Sequence, residues 1–247
     1  MNGTNLRREI ENTNNCDYRV SLIIPIYNMA EWLDTCFRSI LNQSIDPQMV
    51  EVLMIDDGSE DNSLDIMKRY SEKYSNFKCY TKENGGPAQA RNFGIKHATG
   101  KYLMYLDPDD YLGKNTIESV CNFFDRHYDE IDVVTYKIIP IKDGEEQDLH
   151  FRYEVLKSQG VYDLTEPENS FICHTTMNTC VKNKFEKNVL FSENLFYHED
   201  QKYNIDTLKE KQKIGYCDNA EYYYVQSSNS TTNKMLYSYY LFEHSMK

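Results

Sequence analysis

Three hydrophobic runs in this chain of 247 residues stop at clusters of oxygen-bearing side chains. Val20–Ile26 ends at Tyr27-Asn28, residues 50–55 end at Asp56-Asp57-Gly58-Ser59, and residues 102–106 end at Asp107-Pro108-Asp109-Asp110. If all three runs are parallel strands, these clusters gather along one edge of one sheet, where open α/β sheets bind ligands. Five carboxylates would then share a crevice, a density that needs cations or hydrogen-bond donors to compensate it. The chemistry this suggests is a hard divalent cation, Mn²⁺ or Mg²⁺, bridging a phosphorylated ligand. Asp107 and Asp109 are the candidate metal ligands, and Asp110 is a lesser candidate beside them. Their alternatives are a solvated acidic loop and a calcium loop. The calcium loop fails because Tyr111 and Leu112 stand where it requires an oxygen ligand and a turn glycine.

Two further groups could join that crevice. Gly85-Gly86-Pro87 lets backbone pass close to a ligand, and Arg91, one helical turn on, can reach a phosphate or form a structural ion pair with Asp107 or Asp109. Both readings of Arg91 stay open. The loop is neither a Walker loop nor a Rossmann fingerprint, since Gly-Lys-Ser/Thr and G-x-G-x-x-G are both absent. Glu199-Asp200 opens a late helix, where a carboxylate can act as general base or simply complement the helix dipole. His198 before them reads as a surface or hydrogen-bonding residue.

The elements that must position these groups follow from periodicity. Helical spacing of Trp32, Leu33, Cys36, Phe37, Ile40 and Leu41 predicts a helix over 31–41. Helices are likewise expected over 62–74, from Pro87 to Gly100, and over 116–128. With strands at 77–80 and 131–136, five strands alternate with four helices, which implies an α/β fold with a mostly parallel sheet flanked by helices. Beyond Lys137 the alternation ends in a smaller, mixed region with a turn at Asp143-Gly144, a helix over 199–209 and strands at 214–217 and 222–225. Tyr222-Tyr223-Tyr224 alternates faces as a strand, which suggests packing. Residues 1–17 read as a flexible arm and 18–232 as one catalytic domain, with a nucleotide-binding half at 18–136 and an acceptor half at 137–232. Residues 233–247 read as the start of a C-terminal helical extension.

Composition narrows the partners. Lys and Arg total 27 against 39 Asp and Glu, a formal net charge of −12, with no basic track for nucleic acid. The seven cysteines form no Cys-x-x-Cys pair and so indicate neither a disulfide framework nor a zinc site. No segment reaches the roughly 18 apolar residues of a transmembrane helix, and the polar start is not a signal peptide. A cytoplasmic protein is expected.

With the motifs of residues 20–28, 55–59, 85–92, 106–110 and Glu199-Asp200 in this order, the chain resembles the family-2 inverting glycosyltransferases with the GT-A fold. The Gly-Gly-Pro…Arg-Asn, Asp-x-Asp-Asp and Glu199-Asp200-Gln201 blocks are most similar to transferases that glycosylate bacterial surface polymers, such as wall teichoic acid N-acetylglucosaminyltransferases. The resemblance implies a UDP-sugar donor and a glycan or lipid-linked glycan acceptor. It also implies work at the inner face of the cell membrane, with room for peripheral membrane association and a further C-terminal domain. It assigns Asp57 to the uracil ring, with Pro25, Ile26 and Tyr27 around the base. Asp107 would lie near ribose and metal, Asp109 on the metal, and Gly86 and Arg91 by the nucleotide. Asp200 would be the base, and Glu199 and Asp110 would meet acceptor or donor-sugar hydroxyls. One departure is that 225–230 carries no Arg or His, leaving Lys234 as the nearest cation. The rival readings are a non-catalytic sugar-nucleotide-binding module of a larger polymerase and a sugar nucleotidyltransferase. The latter should carry a basic, Gly-rich loop directly after its first strand, and Pro25-Ile26-Tyr27-Asn28-Met29 is not one.

Overall fold

The structure, a computed structural model, describes residues 18–148, 156, 158–169, 178–183, 189–195, 199–208 and 212–226. The expected arm 1–17, the expected extension 233–247, His198 and Lys234 lie outside these residues.

The first half alternates as its periodicity demands. Strands β1 (Val20–Ile26), β2 (Val50–Asp56), β3 (Phe77–Thr81) and β4 (Tyr102–Tyr105) pair in parallel in the order β3-β2-β1-β4. Every residue of β1, β2 and β4 is buried, which explains why these strands read as continuous apolar runs: helices cover a parallel sheet on both faces. The helices are α1 (Leu33–Leu41), α2 (Ser63–Lys73), α3 (Pro87–His97) and α4 (Thr116–Arg126). Leu33, Cys36, Phe37 and Ile40 form the buried stripe of α1. Helix α3 starts at Pro87, whose missing N–H costs nothing there, and lies close on β1 because residue 94 is glycine. A Cβ at Gly94 would stand 2.5 Å from Ile23 Cγ2.

The second half departs from simple alternation. It holds β5 (Tyr111–Leu112), β6 (Val133–Lys142), β7 (Glu145–Glu146), β8 (Gly160–Asp163), β9 (Thr179–Lys182), α5 (Glu199–Thr207) and β10 (Lys213–Val225). The strand expected at 131–136 does not pair with β4, because β9 runs antiparallel between β4 and β6. The sheet therefore continues β4-β9-β6-β10-β5, parallel in its first half and mixed beyond. The half boundary drawn at 136/137 falls inside β6, so one sheet spans both halves. Asp143-Gly144 is the expected turn, with both residues at positive φ and β6 paired back on β7. The two strands read at 214–217 and 222–225 are one, β10, with a register shift between Cys217 and Glu221. Among the described residues no helix is long and apolar enough to cross a membrane.

Candidate active site

The loops after β1 and β2 are tied to each other before any ligand is considered. Asn28 sits at φ 53°, a conformation Asn tolerates better than most side chains. There its Oδ1 accepts the amide of Glu60 at 2.8 Å while its own amide donates to Ser59 Oγ at 3.0 Å. Asp61 accepts the amides of Ala30 and Ser63 at 3.0 and 2.9 Å. Burial pushes its carboxyl up, but the Ser63 hydroxyl and these amides outweigh that and hold it below the usual range. Asp56 orders the turn, accepting from the Ser59 amide and the Thr81 hydroxyl. Pro25 is buried in β1 opposite Ile55, whereas Tyr27 is 44% exposed at the strand end.

Asp57 binds the glycine loop. Its buried carboxylate accepts from Lys82 Nζ at 2.6 Å and from the amides of Gly85 and Gly86 at 3.1 and 2.7 Å. Gly86 adopts φ 87°, which a side chain would strain, and the space where a Cβ would stand is open. The loop therefore meets its acidic neighbour through backbone and keeps an open face.

Arg91 is the junction of the two halves. The side chain is 7% exposed; Nη2 donates to Asp107 Oδ1 at 2.9 Å and Nη1 lies 3.6 Å from Glu199 Oε1. Burial opposes its charge, but Asp107 first, then Glu199 and Asp200, outweigh that and raise its pKa. Its Nε–H is buried without a partner among the described residues. The ion pair with Asp107 weighed from sequence is thus present, and it extends to Glu199 at the first turn of α5. Asp200 follows, with Oδ1 accepting the Gln201 amide at 2.8 Å as a helix start.

The acidic turn after β4 divides its work. Burial, then the neighbouring Asp107 charge, pushes the Asp109 carboxyl up to about 6, as expected of two carboxylates short of positive charge. Asp110 has a structural part that its spacing did not suggest. It is 1% exposed, Oδ2 accepts from the Tyr222 hydroxyl at 2.6 Å, and Oδ1 accepts from the Val225 amide at 2.8 Å. The Tyr222 hydroxyl in turn accepts the Asp107 amide at 3.0 Å. Asp110 therefore fastens β10 beneath the acidic turn, and Tyr222 is a polar link as well as core.

Among the described residues no three His, Cys, Asp or Glu side chains are grouped to hold a metal ion. Asp109, partly buried beside the charge of Asp107, is short of positive charge, a deficit that a divalent cation held by these two carboxylates would answer. Sequence reasoning named Asn28 only as part of the cluster after the first run, read Tyr222 as packing, and gave no role to Asp61 or Lys82. An Asn directly after a strand and before a helix was the available signal for the first; the others act through partners remote in sequence.

Residues 21–188 match the model of the family described as glycosyl transferase family 2. The chain is 36% identical over 218 residues to the minor teichoic acid biosynthesis protein GgaB of Bacillus subtilis (strain 168), covering 86% of this chain and 23% of that one. It is 26% identical over 215 residues to the poly(ribitol-phosphate) beta-N-acetylglucosaminyltransferase TarS of Staphylococcus aureus (strain Mu50), covering 83% and 35%. The crystal structure of S. aureus TarS 1–349 in complex with UDP-GlcNAc matches with a TM-score of 0.72 and 26% identity, over 86% of this chain and 60% of that one. The chain thus spans less than two thirds of each of these relatives. The architecture is a GT-A-like Rossmann fold, a central sheet flanked by helices.

Proposed function

We propose that this chain, which belongs to glycosyl transferase family 2, moves a sugar from a nucleotide-sugar donor, UDP-linked, to a hydroxyl of a bacterial surface glycan or its precursor. The observation that carries the reading is Arg91, which joins Asp107 on the nucleotide side to Glu199 at the head of the helix that bears Asp200. Names of relatives add support: one is solved with UDP-GlcNAc, and others are named for teichoic acid synthesis and poly(ribitol-phosphate) transfer.

In this mechanism Asp57 Oδ2, which already accepts from Gly86, keeps a lone pair for the uracil imide. Tyr27 offers its exposed ring beside the base. Gly86, with open space before it, lets the ribose and diphosphate approach backbone. A divalent cation held by Asp107 and Asp109, Mn²⁺ or Mg²⁺, would supply positive charge to the diphosphate. Arg91 keeps Asp107 oriented and adds its own charge to the same side. Asp200 takes the proton of the acceptor hydroxyl as that oxygen bonds to the anomeric carbon. The bond from this carbon to the phosphate oxygen breaks with its electron pair, and the nucleoside diphosphate leaves from the opposite face. One displacement inverts the centre, so an α-linked donor yields a β-linked product. Glu199, already near Arg91, has a second oxygen for a sugar hydroxyl.

The test is a panel of nucleotide sugars with Mn²⁺ or Mg²⁺ and a polyol-phosphate or lipid-linked glycan acceptor, followed by product anomer analysis. Asp200→Asn is expected to retain UDP binding and to lose transfer by about 10²–10⁴-fold, the usual contribution of a general base. Transfer by this variant at the wild-type rate, or a product with retained configuration, would overturn the mechanism. Transfer absent from both proteins while UDP still binds would instead favour a non-catalytic binding module.

A further inference from the structure

We infer that Asn92, acting through Phe191 and Tyr203, is a positioning residue that sets where the head of α5 stands relative to the acidic turn. The inference deepens the glycosyl-transfer reading and rests on it. Asn92 is 2% exposed and follows Arg91 on α3. Its side-chain amide grips a segment that lies outside the sheet. Oδ1 accepts the Phe191 amide at 2.8 Å, and Nδ2 donates to the Phe191 carbonyl at 3.0 Å and to Glu193 Oε1 at 2.8 Å. One side chain thereby supplies both main-chain bonds that a neighbouring strand would give.

Phe191 passes that restraint on. Its ring stacks on Tyr203 with centroids 3.9 Å apart and planes 9° from parallel. Tyr203 lies four residues after Glu199 and three after Asp200, so all three share one side of α5. Tyr105 stands edge-on to both rings, at 5.5 and 5.8 Å, and its hydroxyl meets that of Tyr203. Tyr105 is the last residue of β4, two before Asp107. The Arg91 guanidinium lies over the Phe191 ring, 5.5 Å from its centroid. Helix α3, the end of β4 and α5 therefore meet in one aromatic knot, and Asn92 is its polar fastening. The Asp57 and Gly86 contacts lie at the other end of the α3 loop and share no atom with it. Arg91 keeps its own bond to Asp107 when Phe191 is lost, so loosening the knot should move Asp200 more than the nucleotide side, and small displacements of a reacting group slow a reaction steeply.

The experiment is a double-mutant cycle with Asn92→Ala and Phe191→Leu, read by transfer kcat, donor KM and UDP affinity with Mn²⁺. Phe191→Leu keeps both main-chain bonds and is the milder variant should Asn92→Ala fold poorly. Each substitution is expected to lower kcat by about 10- to 100-fold, with UDP affinity within about twofold of wild type, and the double variant should be little worse than the poorer single. Parallel loss of UDP affinity and kcat, or effects that multiply independently, would overturn the inference. So would full activity in Asn92→Ala when Asp200→Asn is dead, which leaves the transfer reading intact. Wild-type transfer in Asp200→Asn would instead remove the reading underneath.

Discussion

Glu51 and Asp109 stand at opposite ends of neighbouring parts of one sheet, and their surroundings answer negative charge in opposite ways. At the N-terminal edge Glu51 is fully buried, yet it accepts from Lys78 Nζ at 2.6 Å, from the Thr99 amide and hydroxyl at 2.8 and 3.0 Å, and from the Ser21 hydroxyl. Burial pushes its carboxyl up, but these donors outweigh that and hold it below the usual range. A second pair on the same edge, Lys182 with Asp132 at 2.7 Å, is buried at both partners and lies over the Tyr128 ring. At the C-terminal edge Asp56, Asp57 and Asp110 have their donors, but Asp107 and Glu199 share Arg91, and Asp109 is pushed up to about 6. Acid that serves the fold is matched donor for donor. Acid left short of donors costs stability and is kept where an incoming cation and ligand can complete it.

The sharpest way to break this contrast is Arg91→Ala, which removes the only cation seen between Asp107 and Glu199 among the described residues. It should cost about 3 kcal/mol, the low end of the penalty for breaking a buried pair, since Asp107 and Glu199 are only partly buried, and abolish transfer; denaturant unfolding and a donor-turnover assay check both. Lys182→Met should cost a similar amount, about 3 kcal/mol, but leave kcat of the folded fraction unchanged. A large kcat loss there would deny that the two edges are separate.

Glu51→Gln should destabilise by about 1–3 kcal/mol at pH 7. Because the folded pKa of Glu51 lies below its unfolded value, its contribution is present above the unfolded pKa and is lost as pH falls through the folded one. The gap between wild type and variant should therefore close under acid, as urea midpoints taken from pH 7 to 3 would record. Asp109→Asn should have the smallest effect and the opposite sign. With a folded pKa near 6 above the unfolded value, ionised Asp109 weakens the native state, so stability rises as pH falls through about 6. The variant should gain about 1–2 kcal/mol at pH 8 without metal and nothing near pH 3. Adding Mn²⁺ and UDP should raise the melting temperature of wild type and not of Asp109→Asn; an equal rise in both would remove Asp109 from the cation.

What could be read in advance differed between the same two regions. The first half was legible because β1, β2 and β4 are buried along their whole length and mostly apolar, and α1 and α4 carry buried stripes at helical spacing. The insertion of β9 was not, since Thr179–Lys182 is a short polar-ended segment whose place depends on pairing with β4 and β6 rather than on any period. The ends of β10 read as two strands because the register shift between Cys217 and Glu221 interrupts the alternation that marks one. At the site, the spacing of Asp107 and Asp109 at a strand end placed two acids side by side on one turn, but not the Arg91 that pairs with one of them. Spacing could not show that Asp110 also holds β10 through Tyr222 and Val225.

The order of residues by itself determined the α/β class, the strand ends where acids collect, and the Gly-Gly-Pro turn into α3, since these depend on local periodicity and local backbone preference. Only the tertiary structure decided which acids are matched and which are left wanting. That distinction rests on partners such as Arg91 with Glu199, Tyr222 with Asp110 and Asn92 with Phe191, about a hundred residues apart. No local rule relates positions so distant; they meet because the sheet brings its strand ends to one edge and burial then forces every polar atom there to find, or lack, a neighbour.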